Sequence, residues 1–180
     1  VGITSPLNET PALCLGASEV SIFEQVDAYC SFVNEGYRIE PLLILSIEDK
    51  NGNIIFEAIP ESHDVLSQDI AYAVVKLMEG VTEDGTGTRL RGGRAGFRHY
   101  DYKLDNPIAG KTGTTQNNSD GWFMGFVPNL CTGVWVGCDE RTAHFKNGEQ
   151  GFKLNQRWFL INTKGAIQEV KHDKNFNLLN

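Results

Sequence analysis

Cysteine is scarce and unclustered in this chain. Cys14, Cys30, Cys131 and Cys138 are its four cysteines in 180 residues, and no two form a C-x-x-C pair. Zinc-ribbon and thioredoxin-like chemistry therefore have no basis. Cys30 lies among apolar neighbours and reads as a core residue. Cys131 and Cys138 either pair across a hairpin or stay as free thiols. His63, His99, His144 and His172 lack metal-ligand spacing and read as surface or loop residues, so no metal or other cofactor is expected. Positive charge is also short: 16 Lys and Arg stand against 23 Asp and Glu, a net charge of -7. That argues against nucleic acid as a partner, because phosphate attraction dominates affinity there. The one basic run, Arg89, Arg91, Arg94 and Arg98, lies among glycines and reads as a solvated loop. No apolar run is long enough to span a membrane, and no leader-like segment is present. Val1 is not a natural start, so the missing leader says nothing about location.

The remaining composition is that of a globular domain, with 41% hydrophobic and 22% charged residues. The length suffices for one domain with a real core. Val1 to Gly16 contains two prolines and no period, and reads as a loop. Ser21-Ile22-Phe23-Glu24 fits a capping box, followed by Ile22, Val26, Tyr29, Cys30 and Val33 at helical spacing. Gly36 suits a left-handed stop for that helix. Leu43 to Ile47 and Ile54 to Ile59 read as strands joined by an Asn51-Gly52 hairpin turn. A second helix is expected from about Ser67 to Glu79, with Ile70, Val74, Leu77 and Met78 on its core face and Gly80 as its stop. Asp84 to Tyr102 reads as a long Gly/Arg loop. Three strands then follow in series, at about Ile108 to Thr115, Gly121 to Val127 and Thr132 to Cys138. Gln156 to Ile161 is helix or strand, and Lys171 to Asn180 is polar and frayed.

Two short motifs suggest chemistry. Gly85-Thr86-Gly87-Thr88 has the look of a phosphate loop. However, it lacks the third glycine of a dinucleotide fingerprint and the Gly-Lys-Ser/Thr ending of a P-loop, and it follows a helix rather than a strand. It reads as a turn. Lys111-Thr112-Gly113-Thr114 is more informative. Lys111 supplies a point charge and three donors. Gly113 allows close approach to a strand backbone. Thr112 and Thr114 add hydroxyls, and the backbone N–H after Gly113 is suited to a developing oxyanion. The same tripeptide also fits a strand edge with one exposed lysine.

The blocks around that tripeptide carry a family resemblance. In order they are Leu15-Gly16-Ala17-Ser18-Glu19-Val20-Ser21, Ala28-Tyr29-Cys30-Ser31-Phe32, Gly85-Thr86-Gly87-Thr88, Ala109-Gly110-Lys111-Thr112-Gly113-Thr114-Thr115, Asp120-Gly121-Trp122-Phe123-Met124-Gly125-Phe126 and Gly133-Val134-Trp135-Val136-Gly137. Over about Gly2 to Arg141 the chain resembles the transpeptidase domain of class A penicillin-binding proteins, which cross-link bacterial peptidoglycan. The resemblance implies an α/β (α+β) fold with an antiparallel sheet flanked by helices. It implies serine acyl transfer on a D-Ala-D-Ala stem peptide, or on a β-lactam that mimics it, through S-x-x-K, S-x-N and K-T-G motifs. Lys111 would be a catalytic residue that helps bind the substrate carboxylate and tunes local proton transfer, Thr112 and Thr114 would hydrogen-bond that carboxylate, and the Thr114 amide would be one of two oxyanion-hole donors.

The departures are equally specific. No serine of the chain opens an S-x-x-K or an S-x-N. Ser119-Asp120-Gly121 looks like a damaged S-D-N, but it follows K-T-G where the family's motif precedes it, so Ser119 reads as a residue leading into a strand. The nucleophile, the glycosyltransferase domain and the membrane anchor are expected upstream of Val1, on the extracytoplasmic face of the bacterial inner membrane. This chain is expected to be a C-terminal part of the transpeptidase domain over residues 1–151, inactive alone, with a divergent, frame-shifted or poorly ordered tail over 152–180. It would supply the last three strands of a five-stranded sheet, leaving a sheet edge and apolar helix faces exposed. Two other functions fit less of the pattern: a non-catalytic peptide- or glycan-binding module, and a serine β-lactamase relative, which shares K-T-G.

Overall fold

The computed structural model describes residues 1–92, 103–138, 140 and 142, together with the backbone of 155–162 and 167–170. Its helices are α1 (Ile22–Val33) and α2 (Gln68–Glu83). Its strands are β1 (Tyr37–Ile39), β2 (Ser46–Glu48), β3 (Ile54–Glu57), β4 (Ser62–Asp64), β5 (Ala109–Thr114), β6 (Gly121–Val127), β7 (Leu130–Gly137), β8 (Asn155–Asn162) and β9 (Ile167–Val170). The main sheet runs β5-β6-β7-β8-β9 with every neighbour antiparallel. β1 pairs with β4, and β2 with β3, as separate two-stranded ribbons. The α/β class with an antiparallel sheet flanked by helices is thus observed. Where three strands were expected, the sheet has five, because β8 and β9 extend it beyond β7. The segment left open between helix and strand, Gln156 to Ile161, lies in β8.

The start of α1 is built as its sequence dictates. The Ser21 hydroxyl accepts from the Glu24 amide, and the Glu24 carboxylate accepts from the Ser21 amide at 2.9 Å. Glu24 does more than cap. It also accepts from the amides and hydroxyls of Thr4 and Ser5 at 2.7–2.8 Å, pinning the N-terminal segment across the helix start. These bonds, led by that from the Ser5 hydroxyl, hold its carboxyl far below the ordinary glutamate range. At the other end Gly36 takes φ +98° and its amide donates to the Ser31 carbonyl at 2.8 Å.

The core lies where α1 crosses the sheet, formed by Val26, Cys30, Ala109, Met124, Phe126 and Cys131. Gly133 makes the crossing possible. A Cβ there would collide with Val26 Cγ2, and would sit 3.0 Å from Met124 Sδ and 3.1 Å from Ile22 Cγ1. Tyr29 packs edge-on against Phe32 and Phe126, with ring centroids 5.7 and 6.5 Å away. Cys131 is fully buried, and its thiol is pushed far up by the neighbouring Cys30 thiol and by burial. All four cysteines are free. Cys131 is the second residue of β7 and Cys138 follows its last residue, so the extended strand between them rules out a bond.

Several expectations are corrected. α2 runs through Gly80 and ends at Glu83, capped by the Asp84 amide bonded to the Gly80 carbonyl. Its packed stripe is Ala71, Val75, Met78 and Thr82, so Met78 packs on the core as expected while the rest of the face is shifted by one residue. Ile70 and Leu77 are exposed, at 53% and 77%. The small Ala71 and the hydroxyl-bearing Thr82 are both fully buried, so the sheet side of α2 was chosen by close approach rather than by bulk. The first ribbon strand begins at Ser46, not Leu43. The Asn51-Gly52 turn is as expected, with Gly52 at φ +83° and the Asp49 carboxylate accepting the Asn51 and Asn53 amides.

Candidate functional site

Strand β5 carries Lys111-Thr112-Gly113-Thr114 and is the first strand of the main sheet, so one side of it faces no other described strand. Its inner side is locked to β6 in the register Lys111↔Met124, Thr112↔Phe123, Gly113↔Trp122 and Thr114↔Gly121. Gly113 is needed for that fit, because a Cβ there would stand 3.0 Å from Trp122 Cβ. Strand alternation puts Lys111 and Gly113 on one face and Thr112 and Thr114 on the other. Lys111 is exposed, and its ammonium donates to the Thr112 carbonyl at 2.6 Å. The four residues named from the sequence are therefore contiguous on an accessible strand, with a cation held against the strand's own backbone.

Two anchors position β5. The Thr82 hydroxyl, fully buried, donates to the Ile108 carbonyl at 2.7 Å and the Glu79 carbonyl at 3.0 Å, tying the end of α2 to the start of the strand. Arg91 donates to the carbonyls of Leu104 and Asn106 at 2.7 and 2.6 Å and pairs with Glu83 at 2.8 Å. Arg91 thus clamps the approach to β5 instead of lying in solvent. Arg94, Arg98, His99, His144 and His172 lie outside the described residues. His63 sits on β4 with its Nε2 3.8 Å from Glu40.

Gly85-Thr86-Gly87-Thr88 is a turn after α2, as read. It is a tightly packed one. The Gly87 amide donates to the Val81 carbonyl at 2.8 Å, and a Cβ on Gly85 would stand 2.8 Å from Val81 Cα. The turn brings the Thr86 hydroxyl within 2.6 Å of the Thr112 hydroxyl. Sequence reasoning missed this residue. The available signal was a threonine between two glycines in one of the blocks that carry the resemblance.

Ser119 belongs to the connection from β5 to β6. Its hydroxyl lies 3.0 Å from that of Thr115 and donates to the Gln116 carbonyl at 3.3 Å. Asp120 closes the same turn, accepting from Trp135 Nε1 at 3.2 Å while its amide donates to the Thr115 hydroxyl at 2.9 Å. An apolar cleft of about 380 Å³, including Phe32, Tyr72, Val75, Ile108 and Phe126, opens at the Ile108 end of the strand and includes none of Lys111 to Thr114. Among the described residues the candidate site is therefore a strand edge outside that cleft. Among the described residues no helix is long and apolar enough to cross a membrane.

Residues 7–140 match the model of a protein family described as the penicillin binding protein transpeptidase domain. Penicillin-binding protein 1A of Aquifex aeolicus is 38% identical over 132 residues, covering 73% of this chain and 17% of that protein. Penicillin-binding protein 2D of Bacillus subtilis is 34% identical over 143 residues, covering 79% of this chain and 20% of that protein. The chain thus spans about a fifth of the length of these curated relatives. The crystal structure of penicillin-binding protein 1A from Haemophilus influenzae superposes with a TM-score of 0.62 at 24% identity, covering 88% of this chain and 26% of that one, which shows a shared fold. The matched segment takes in α1, α2 and strands β1 to β7, and so contains the whole edge built around Lys111. On that match, extending over most of its length, the chain belongs to the penicillin-binding protein transpeptidase domain family.

Proposed function

We propose that this chain supplies the substrate-binding strand of a serine D,D-transpeptidase whose nucleophile lies outside these 180 residues. One observation carries the reading. Lys111, Thr112, Gly113 and Thr114 occupy an accessible edge strand, with the lysine ammonium held against its backbone. An edge strand offers backbone donors and acceptors to an extended peptide. Lys111 supplies the charge that a terminal carboxylate needs. The Thr112 and Thr114 hydroxyls add donors, and the Thr114 amide serves the oxyanion that forms as the acyl carbon becomes tetrahedral. The ligand is a stem peptide ending in D-Ala-D-Ala, or a β-lactam. A serine from outside the chain would attack the acyl carbon and expel the terminal D-Ala, and an amine from a second stem peptide would take the acyl group. The upstream transpeptidase and glycosyltransferase regions are the structural partners, and the working location is the extracytoplasmic face of the bacterial inner membrane. Residues 152–180 are proposed as a stretch divergent in sequence from the family, although its β8 and β9 join the same sheet as β7.

Two measurements on the 180-residue chain test this. Fluorescent penicillin leaves no covalent adduct, because the serine motifs are absent. A D-Ala-D-Ala peptide binds reversibly and more weakly in high salt, and Lys111→Ala loses about tenfold or more in affinity, the scale of a charge-assisted hydrogen bond. An adduct mapped to a serine of this chain, or unchanged affinity in the variant, overturns the proposal.

A further inference from the structure

The turn that carries Thr86 is held by backbone bonds apart from the Thr86–Thr112 hydroxyl pair. Thr86 is exposed, and its turn is already held by the Gly87 amide on the Val81 carbonyl. Yet the turn delivers the Thr86 hydroxyl to within 2.6 Å of a hydroxyl on β5, across 26 residues of sequence. The backbone contacts of Gly85 and Gly87 with Val81 leave little freedom in where that hydroxyl sits.

We propose that Thr86 is a positioning residue for carboxylate recognition at the β5 edge, acting through the hydroxyl of Thr112. The proposal rests on the reading of that edge as a carboxylate site. A threonine hydroxyl rotates freely, and its side chain has few rotamers. A short bond to a fixed partner selects one rotamer and orients the proton. With Thr86 as the donor, the Thr112 O–H stays available for a third group and is strengthened because its oxygen already accepts a hydrogen bond. With the Lys111 ammonium on the Thr112 carbonyl at 2.6 Å, the strand edge combines a cation and an oriented O–H around one residue. An anionic oxygen uses both. A neutral carboxamide gains much less from either.

The test compares binding of N-acetyl-D-Ala-D-Ala and its C-terminal carboxamide by NMR titration of the 180-residue chain. Thr86→Val is expected to weaken the acid about fivefold, the scale of one hydrogen bond, and to leave the carboxamide unchanged. Thr86→Ser keeps the hydroxyl and stays within about twofold of the parent. Thr112→Val matches the loss of Thr86→Val, and the double variant is no weaker than Thr112→Val alone, since the two act as one unit. Equal weakening of acid and carboxamide by Thr86→Val overturns the proposal in favour of a structural role. Parent-like acid binding by Thr86→Val, with Lys111→Ala and Thr112→Val both weakened, overturns it while leaving the edge reading intact. No binding by the parent chain, equal binding of acid and carboxamide, or no effect of Lys111→Ala removes the edge reading and this proposal with it.

Discussion

Replacing Thr82 by valine isolates the bond that fastens α2 to the candidate strand. The Thr82 side chain is fully buried, and its hydroxyl donates at 2.7 Å to the carbonyl of Ile108, a residue only 7% exposed. The Glu79 carbonyl, its second acceptor at 3.0 Å, sits within α2, where a helix amide also serves it. The loss therefore falls mainly on Ile108. Valine keeps the shape and removes the donor, leaving a buried carbonyl unsatisfied at a cost of about 1–3 kcal/mol. With a urea dependence of about 1–3 kcal/mol per molar, the unfolding midpoint should fall by about 1 M at unchanged slope. Fluorescence of Trp122 and Trp135, both on the sheet, reports the transition. Thr82→Ser retains the hydroxyl and should recover more than half of the shift. A midpoint within about 0.2 M of the parent for the valine variant, on the same slope scale, would refute the reasoning.

Two further outcomes follow from the packing and the charges. Gly133→Ala places a methyl against Val26 Cγ2, Met124 Sδ and Ile22 Cγ1 in the core, and should destabilise the chain by about 1–3 kcal/mol through overpacking; urea midpoints check it, and an unchanged midpoint would show that α1 does not sit tightly on β7. Glu24, with its folded pKa depressed by hydrogen bonds from Ser5, Ser21 and Thr4, contributes stability that is full above the unfolded glutamate value of about 4.3 and is lost as pH falls from there toward the lower folded value. Glu24→Gln should be less stable at neutral pH and show a flatter acid limb, whereas parallel stability curves for parent and variant would contradict the assignment.

The elements that could be read from sequence were those whose signals are local. The capping box at Ser21 and Glu24, the turn at Asn51-Gly52, and the strands over β6 and β7 each depend on residues a few positions apart. The face of α2 was misread by one position, because Ile70 and Leu77 outrank Ala71 and Thr82 on hydrophobicity while the sheet selects for close approach. Gly80 was misread as a stop, since a glycine inside a helix costs only about 1 kcal/mol and packing overrides it. Arg91 looked like part of a solvated basic loop, yet its three bonds to Glu83, Leu104 and Asn106 are made to groups distant from it in sequence.

The same division holds at the site. The residue types at 111–114, their place on a strand and the absence of any S-x-x-K or S-x-N are properties of the sequence alone. Side-chain chemistry and strand periodicity are encoded within a few residues, so no fold is needed to read them. That β5 is the first strand of the main sheet, that Lys111 turns its ammonium onto Thr112, and that Thr86 meets Thr112 across 26 residues were decided only by tertiary structure. Each depends on where α2 ends and on how it docks against β5. That docking is set by buried area and by the Thr82 hydrogen bond, which join parts of the chain that no local pattern connects.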